Sequence, residues 1–370
     1  MCTDFMVVAK DQTCVNGRSM DFEDDLISDL IVHAPGKAAI VASFVSDYLS
    51  SQPGGSTFKW LARKLFGAEI DTAMEWIERR FDLVPKYGYV GMTVKGYPLC
   101  ADGMNSQGLS VGALWLTGTK FQEADLKATN VVCGTFVDWM LGHCATVAEV
   151  RELLESHKVH VTDNPPLTES APLHFAVHDA EGKSIVIEFI DGKAVISDNP
   201  VKVLTNLPTF SWHLTNLATY INLTQDHIEE RRIGDFTVRA PSPGTGLIGL
   251  PGDATAPSRF VRTALLKEFA ERPKNAADAH NLAFHLLNAV HTTKGVVRAY
   301  REVPGDKPKR EEKFDHTQWT VVKDLTNRVI TIRMAASQVP WSLDLKTLQF
   351  DANHGRRIAI PTDVHNRLPL

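Results

Sequence analysis

The chain has 370 residues, a formal net charge of −5 and a sequence pI near 6.3. Hydrophobic residues make up 44% and charged residues 22%, an ordinary composition for a globular protein with a sizeable core. The weakly acidic balance argues against the basic class of nucleic-acid-binding proteins and gives no reason to expect an anionic membrane as partner.

Export and membrane signals are absent from the sequence. The N-terminus lacks a basic segment followed by a long apolar one, and no stretch approaches about 18 uninterrupted apolar residues. We therefore predict a cytoplasmic protein, or a periplasmic one if a leader was removed before Cys2. The five cysteines include no CxxC pair and no HExxH motif occurs, so we predict no metal, no cofactor and no disulfide framework.

The first half of the chain combines strand-like stretches with one helical stretch. Apolar, β-rich runs predict four strands: Phe5–Ala9, Leu26–Val32, Tyr87–Val94 and Gly108–Leu116. A turn is predicted at Gly17–Arg18. Helical periodicity over Phe58–Phe81 lies within an extended segment at about residues 50–85, which we interpret as an added helical element near a pocket entrance.

The second half repeats this mixture. A helical pattern covers Asn130–His157, where Thr146 and Glu149 form a capping-box signal. Antiparallel strands are predicted over His174–Asp198 and Gln318–Met334, and two further helices are predicted over Ala256–Ala270 and Ala276–Val290. Hairpins without βαβ alternation indicate an α+β fold of antiparallel sheets covered by helices. No linker divides the chain, so we predict one domain over residues 1–370.

The cysteine at position 2 is the first candidate for chemistry. If Met1 is removed, Cys2 carries a thiol nucleophile and a free α-amine, whose pKa of about 7.7–8 suits a general base. Arg18 could favour the thiolate through its fixed positive charge, and Asp21 could accept hydrogen bonds from the amine. The alternatives are an ordinary gene start at Cys2 and a surface ion pair between Arg18 and Asp21.

Several motifs in one order resemble the choloylglycine hydrolase family. They are MCTDF, NGRSMDFE, DGMNSQGLSVGALWL, VLTNLPTFSWHLTNL and GTGLIGLPGDATAPSRFVR, with a weaker echo in DHTQWTVVKDLTNRVI. This family comprises N-terminal-nucleophile amidases, including bile salt hydrolases and penicillin V acylases. The resemblance implies an αββα sandwich, two antiparallel sheets between helical layers, which agrees with the strand and helix pattern.

The resemblance also implies roles for individual residues. Cys2 matches the nucleophile, Arg18 the arginine beside it, and Asp21 the aspartate that holds the amine. In VLTN, Asn206 matches an asparagine whose amide helps to form the oxyanion hole, and Arg259 in PSRF matches an arginine near the nucleophile. Without the resemblance, Asn206 would be interpreted as a turn residue before a proline, and Arg259 as a residue at a helix start.

Trp115 falls where relatives carry asparagine or tyrosine, at a position whose backbone N–H supplies the second oxyanion donor. A backbone donor survives this change of side chain, while the indole alters the pocket beside the scissile bond. Together with the segment at about 50–85, Trp115 favours a penicillin V acylase-like or acyl-homoserine lactone acylase-like enzyme, with conjugated bile salts as the alternative substrates.

Two other activities remain open from the sequence. An acyltransferase could use the same scaffold, with an amine instead of water intercepting the acyl intermediate. A non-catalytic binding protein could retain the fold, although the joint presence of the five matched polar residues argues against it. The resemblance further implies a homotetramer in which a hairpin from about Tyr220 to Gly246 reaches neighbouring subunits.

Overall fold

The structure is a computed structural model that describes residues 1–37, 84–125, 127–163, 171–303 and 309–362, with the backbone alone at 301–303 and 309. The helix predicted over Phe58–Phe81 lies outside these ranges, and so does the segment at about 50–85 except for residues 84 and 85. Both stay predictions, as does the single domain.

The described residues contain nineteen strands, which are β1 (Cys2–Val8), β2 (Cys14–Phe22), β3 (Leu30–His33), β4 (Tyr89–Val94), β5 (Tyr97–Asn105), β6 (Ser110–Trp115), β7 (Thr129–Val132), β8 (Val159–Thr162), β9 (Leu173–His178), β10 (Ser184–Ile190), β11 (Lys193–Asp198), β12 (Val203–Leu204), β13 (Glu230–Ile233), β14 (Phe236–Arg239), β15 (Val297–Val303), β16 (Lys309–Asp324), β17 (Val329–Met334), β18 (Trp341–Asp344) and β19 (Arg357–Ile358). The same ranges contain five α-helices, which are α1 (Phe136–His143), α2 (Val147–Glu155), α3 (Phe210–Asn216), α4 (Ala256–Phe269) and α5 (Ala276–Ala289).

Two large antiparallel sheets form the centre of the fold. In the first sheet the strand order is β12-β1-β2-β16-β17-β18, and β15 pairs with β16. In the second sheet the order is β11-β10-β9-β6-β5-β4-β3-β19. Most neighbours in these sheets are also neighbours in the sequence, which is why alternating runs with short turns predicted them.

Helices cover the outer faces of the two packed sheets. One core cluster joins Phe5 of the first sheet to Met104 and Ala176 of the second, and Phe260 of α4 and Leu286 of α5 belong to the same cluster. A second cluster packs α1 against the second sheet. The order helix, sheet, sheet, helix is the αββα sandwich, so the predicted α+β class is confirmed.

The turn predicted at Gly17–Arg18 is wrong. Both residues lie inside β2, and the chain reverses between Val8 and Cys14 instead. Gly17 lies opposite Phe5, and a Cβ atom on Gly17 would stand 2.5 Å from Cζ of that buried ring. The glycine is therefore required for close packing of an aromatic ring on the strand, not for a change of chain direction.

The helix predicted from Asn130 begins later, at Phe136. Residues Thr129–Val132 form β7, which pairs in parallel with β8, because this β-branched stretch packs its Val131 into the core. Half of the capping box is present: Thr146 Oγ1 accepts from Glu149 N–H at 3.2 Å, whereas the Glu149 carboxylate accepts from Ala145 N–H at 2.7 Å instead of from Thr146 N–H. The other elements predicted within the described residues are confirmed, although some ends differ; β16, for example, begins at Lys309 and not at Gln318.

Candidate active site

The pairing of β1 with β2 sets the surroundings of Cys2. In this register Cys2 lies opposite Met20, and Asp4 lies opposite Arg18. Cys2 is buried, and its Sγ lies 3.7 Å from Met20 Sδ. The hairpin thus returns Arg18 and Asp21 to the region of Cys2, as expected, although by a different turn from the predicted one.

Asn206 lies directly against Cys2. Strand β12 pairs with β1, and Asn206 follows it two residues later. Its Oδ1 accepts from Cys2 N–H at 2.7 Å and from Arg259 Nη2 at 2.9 Å, and its Nδ2 donates to Trp115 O at 2.8 Å. The two donors to Oδ1 and the acceptor for Nδ2 determine the orientation of the Asn206 amide. The second Nδ2–H therefore remains available to a ligand.

Arg259 reaches the same residue from the first turn of α4. It is fully buried, and its Nη1 donates to Cys2 O and, at 2.7 Å, to Thr3 Oγ1. Burial lowers the pKa of this guanidinium, and the negative charge of Asp21 opposes that shift. Cys2, Asn206 and Arg259 therefore form one connected group of hydrogen bonds.

Arg18 crosses from the first sheet into the second. Its Nη1 and Nη2 donate to the carbonyls of Ala101 on β5 and Ala113 on β6, and Nη1 also lies 3.2 Å from Asp102 Oδ2. Burial lowers the pKa of Arg18, but the neighbouring Asp102, Cys2 and Asp4 outweigh burial and raise it overall. The guanidinium is therefore a permanent buried cation whose neighbours include Cys2.

Asp21 is held by hydroxyl groups. Thr317 Oγ1 donates to its Oδ1 at 2.6 Å, and Ser19 Oγ lies 3.3 Å from its Oδ2. Burial raises the pKa of this carboxyl, while the charges of Arg259 and the terminal amine lower it in part. Its carboxylate oxygens are directed by these two hydroxyls, and the backbone of Asp21 makes the contact with the N-terminus.

Met1 occupies the space beside Asp21. Its amine donates to Asp21 O at 2.7 Å and to Asp315 Oδ2 at 3.1 Å, and its carbonyl accepts from Asp21 N–H at 2.8 Å. Met1 also lines the cavity described below. With Met1 attached, the backbone nitrogen of Cys2 is an amide and carries no basic lone pair, so it cannot act as a base.

The backbone of Trp115 faces a gap in the second sheet. Leu116 N–H donates to Pro172 O, and because hydrogen-bonded pairs alternate along an antiparallel ladder, Trp115 directs its own N–H to the opposite side. There β5 has already diverged, since its pairing with β6 ends at Asp102↔Gly112. The Trp115 carbonyl on this side accepts from Asn206, so the N–H faces the same opening as the Asn206 amide.

A cavity of about 650 Å³ opens at Cys2. Its walls are mainly apolar, and they include Leu26, Val94, Leu99, Trp115, Val137 and Leu173. Polar groups converge at the Cys2 end, where Asp21, Asn206 and Asp315 line the cavity. The Trp115 ring is 37% exposed and stands 6.3 Å from the Phe22 ring, so the indole forms part of one wall. An apolar body with polar groups at one end suits a hydrophobic acyl group with a reactive amide.

Four further polar residues of the site were not assigned from the sequence. Thr317 holds Asp21, Asp315 contacts the N-terminal amine, and Asp102 with Lys323 forms a buried ion pair behind Arg18. All four lie within or beside motifs that carried the family resemblance. A charged residue in an otherwise apolar strand, as at Lys323 in TVVKD, is the signal that could have indicated them.

One buried group of potential metal ligands lies on the other side of the second sheet. The ligand atoms of His33, Cys100 and Asp138 lie within 4.8 Å of one another. The Asp138 carboxylate already accepts from Cys100 N–H at 3.0 Å and from Tyr89 OH at 3.1 Å. These hydrogen bonds account for a buried aspartate without an ion, and the expected lack of a metal stays a prediction.

The family comparison agrees with this geometry. A family model described as linear amide C–N hydrolases, choloylglycine hydrolase family, matches residues 2–354. The chain belongs to this family. It is accordingly a hydrolase of carbon–nitrogen bonds other than peptide bonds in linear amides, and the alternative of a non-catalytic binding protein is set aside.

Individual relatives show how near the similarity is. The bile salt hydrolase/transferase of Clostridium perfringens (strain 13 / Type A) is 38% identical over 281 residues, which cover 74% of this chain and 81% of the relative. The penicillin V acylase of Pectobacterium atrosepticum is 27% identical over 289 residues, covering 73% and 69%. The crystal structure of a cysteine-to-alanine variant of conjugated bile acid hydrolase from Clostridium perfringens superposes with a TM-score of 0.79 at 28% identity, covering 100% of both chains.

Among the described residues, no helix is both long and apolar enough to span a membrane. The cytoplasmic location stays a prediction.

Proposed function

We propose that this family member is an N-terminal-nucleophile amidase in which Cys2 attacks the substrate after Met1 has been removed. The observation that supports this most directly is the hydrogen-bonded group of Cys2, Asn206 and Arg259 at the polar end of an apolar cavity. Removal of Met1 frees the Cys2 amine and also enlarges the cavity, because Met1 lines it.

The reaction begins with proton transfer within one residue. The Cys2 amine accepts the thiol proton, and Sγ attacks the amide carbon as the C=O electron pair moves to oxygen. The buried positive charge of Arg18, which lies on β2 opposite Asp4 and two residues along the hairpin from the position opposite Cys2, stabilises the thiolate. Asn206 Nδ2 and the Trp115 N–H, which face the same opening, donate to the oxyanion.

The tetrahedral intermediate then collapses to a thioester, which water hydrolyses in a second stage. The C–N bond breaks, the leaving amine takes the proton from the Cys2 ammonium, and the acyl group remains on sulfur as a thioester. Water next attacks the thioester with the Cys2 amine as base, which releases the carboxylic acid and restores the thiol. Asp21, held by Thr317 and Ser19, places its negative charge near the N-terminus and favours the ammonium form that each stage creates transiently.

For the substrate, we propose conjugated bile salts ahead of penicillin V. The sequence alone favoured penicillin V or acyl-homoserine lactones, mainly because of Trp115 and the segment at about 50–85. The observation that supports the reverse order is 38% identity to a bile salt hydrolase/transferase against 27% to a penicillin V acylase. The cavity of about 650 Å³ lies within the range of about 300–1,000 Å³ for ligand sites and does not distinguish between the two substrates.

Intact mass and turnover test the nucleophile and the substrate together. We expect the purified protein to lack one methionine, and to hydrolyse taurocholate and glycocholate with a higher kcat/KM than penicillin V or an acyl-homoserine lactone. Cys2→Ala should abolish all four activities. Retention of Met1 in an active enzyme would refute the N-terminal mechanism, and a higher kcat/KM for penicillin V would refute the substrate order alone.

Acyl transfer is a second candidate activity, because the Clostridium perfringens relative is named a hydrolase/transferase. In this reaction a second amine, instead of water, attacks the thioester. Turnover of a conjugated bile salt in the presence of hydroxylamine or a free amino acid separates the two outcomes. New acyl-amine product that increases with amine concentration supports transfer, and the free acid alone contradicts it.

We also propose a homotetramer. The hairpin β13–β14 is exposed along its whole length, and Ile233 and Phe236 on it are 64% and 70% exposed. Large apolar side chains on an exposed hairpin are typical of a surface that a second subunit covers. Light scattering measures the mass directly, and a monomer at high concentration would refute the proposal.

A further inference from the structure

A buried ion pair lies behind Arg18, away from the cavity opening. Asp102 on β5 is 1% exposed, and Lys323 on β16 is 0% exposed. Lys323 Nζ lies 2.6 Å from Asp102 Oδ1 and 2.7 Å from Asp102 Oδ2, and the latter oxygen is also 3.2 Å from Arg18 Nη1. One carboxylate therefore connects a lysine to the arginine beside Cys2.

The buried charges around Asp102 balance. Arg18 and Lys323 are positive, Asp102 and Asp4 are negative, and all four are essentially inaccessible to water. Asp4 accepts from Asn16 Nδ2 at 2.9 Å, and its Oδ1 lies 2.7 Å from His178 Nε2. Ionised groups are retained in such an interior only when they are paired, so Lys323 is the second cation that two buried carboxylates require.

A glycine of the second sheet makes room for these charged side chains. A Cβ atom on Gly112 of β6 would stand 2.9 Å from Arg18 Nη1, 3.0 Å from Asp4 Oδ2 and 3.2 Å from Asp102 Oδ2. Only a residue without a side chain lets these three groups approach one another at this point of the second sheet. The convergence therefore depends on the sheet itself as well as on the charged side chains.

We propose that Lys323, acting through Asp102, is a positioning residue that keeps the charge of Arg18 available to Cys2. This inference rests on the proposed function of Cys2 as nucleophile. With Lys323 in place, Asp102 has a second cation as its partner and does not take up the charge of Arg18 alone. Without Lys323, Asp102 pairs with Arg18 alone, and the positive potential at Cys2 decreases.

The test compares Lys323→Met with the double variant Lys323→Met/Asp102→Asn, which removes the two charges together. The first readout is the pH midpoint of Cys2 alkylation by iodoacetamide, with the modified cysteine identified by peptide mass. The second readout is kcat and KM for taurocholate. Lys202→Met is the control, since Lys202 is a partly buried lysine whose Nζ donates to Gly182 O outside the cavity.

We expect Lys323→Met to raise the alkylation midpoint and to lower kcat at least about tenfold while KM changes less than about twofold. The double variant should recover most of that loss, because Arg18 then faces a neutral amide. Lys202→Met should match the parent enzyme. A midpoint and kcat that stay at the parent values in Lys323→Met would overturn the proposal.

Folding is monitored by thermal unfolding of each variant, because loss of one of the two cations that hold buried Asp102 can prevent folding of Lys323→Met. In that case the double variant decides: a folded enzyme with a near-parental midpoint supports positioning through charge. A double variant that also fails to fold, or that folds with the midpoint still raised, overturns it. If Cys2→Ala retains turnover, the proposed function itself fails, which is a different outcome from a normal Lys323→Met enzyme.

Discussion

Replacing Asn206 with leucine tests the oxyanion role most sharply. Leucine matches asparagine in the number and branching of its side-chain heavy atoms but has neither donor nor acceptor. The change removes the acceptor for Cys2 N–H at 2.7 Å and for Arg259 at 2.9 Å, together with the Nδ2 donor that faces the cavity. Its effect on kcat reports the contribution of Nδ2 to the transition state. Its effect on the free energy of unfolding reports the contribution of the existing hydrogen bonds to the ground state.

The two contributions have different sizes and different readouts. Loss of one oxyanion donor raises the barrier by about 2.7–4 kcal/mol, which lowers kcat by roughly 10²–10³. Each buried donor left without an acceptor lowers the free energy of unfolding by about 1–3 kcal/mol. Because the oxyanion forms only in the transition state, KM should change little.

The assay is steady-state hydrolysis of glycocholate, with kcat expressed per folded molecule from active-site titration. Asn199→Leu is a matched control, because Asn199 is also buried and its side chain makes two hydrogen bonds, both with the backbone of Val203. Asn199 does not line the cavity, so this variant should lose stability but keep its kcat. The reasoning is refuted if Asn206→Leu keeps kcat within about threefold of the parent, or if both variants lose kcat equally.

Three further predictions concern stability and assembly. His33 is buried without a hydrogen-bond partner among the described residues, and burial lowers its pKa to about 3. Its neighbour Asp138 lies 3.9 Å away; burial raises the pKa of this carboxyl to about 6, so it is mainly protonated at pH 5. Below about pH 6.5 His33 takes up a proton in the unfolded chain but stays neutral in the folded protein, which favours unfolding at pH 5. His33→Phe should therefore raise the free energy of unfolding by roughly 2 kcal/mol at pH 5 and leave it unchanged at pH 8. Equal Tm changes at both pH values would contradict this. Gly17→Ala forces a Cβ atom to 2.5 Å from the Phe5 ring and should cost roughly 1–3 kcal/mol in urea denaturation, whereas an unchanged midpoint would mean that the ring can move aside. Phe236→Asp, on the exposed hairpin, should reduce the mass measured by light scattering to that of a smaller species without unfolding the subunit, and an unaltered mass would remove this hairpin from the interface.

Much of the fold follows from local patterns in the sequence. Alternating apolar runs around His174–Asp198 and Gln318–Met334 specify strands because side chains on a strand alternate between its two faces. The helices α4 and α5 follow from periodicity and from start signals such as Asn275, whose side chain accepts from Asp278 N–H. Local signals failed where tertiary contacts decide: Gly17 serves the packing of Phe5 rather than a turn, and residues 129–132 became a strand by pairing with β8.

The candidate site divides in the same way. The residue types at Cys2, Arg18, Asp21, Asn206 and Arg259 could be selected from the sequence because each carries a distinct chemistry within a recognisable motif. The sequence could not show which of these residues contact one another, since Asn206 lies 204 positions from Cys2 and Arg259 lies 257 positions away. Only the pairing of β12 with β1 and the placement of α4 bring them together.

The charge balance around Arg18 belongs wholly to the tertiary structure. A single charge in the apolar stretch TVVKD marks Lys323 as unusual for a strand, but only the packing of the second sheet against the first shows that its side chain is buried and meets Asp102. Burial in the folded chain is what makes its pairing with Asp102 obligatory. The sequence by itself determined the family, the sandwich and the candidate reacting groups, because each depends on residue types and local patterns, whereas the register of the strands and the packing of the two sheets decided which charges surround Cys2.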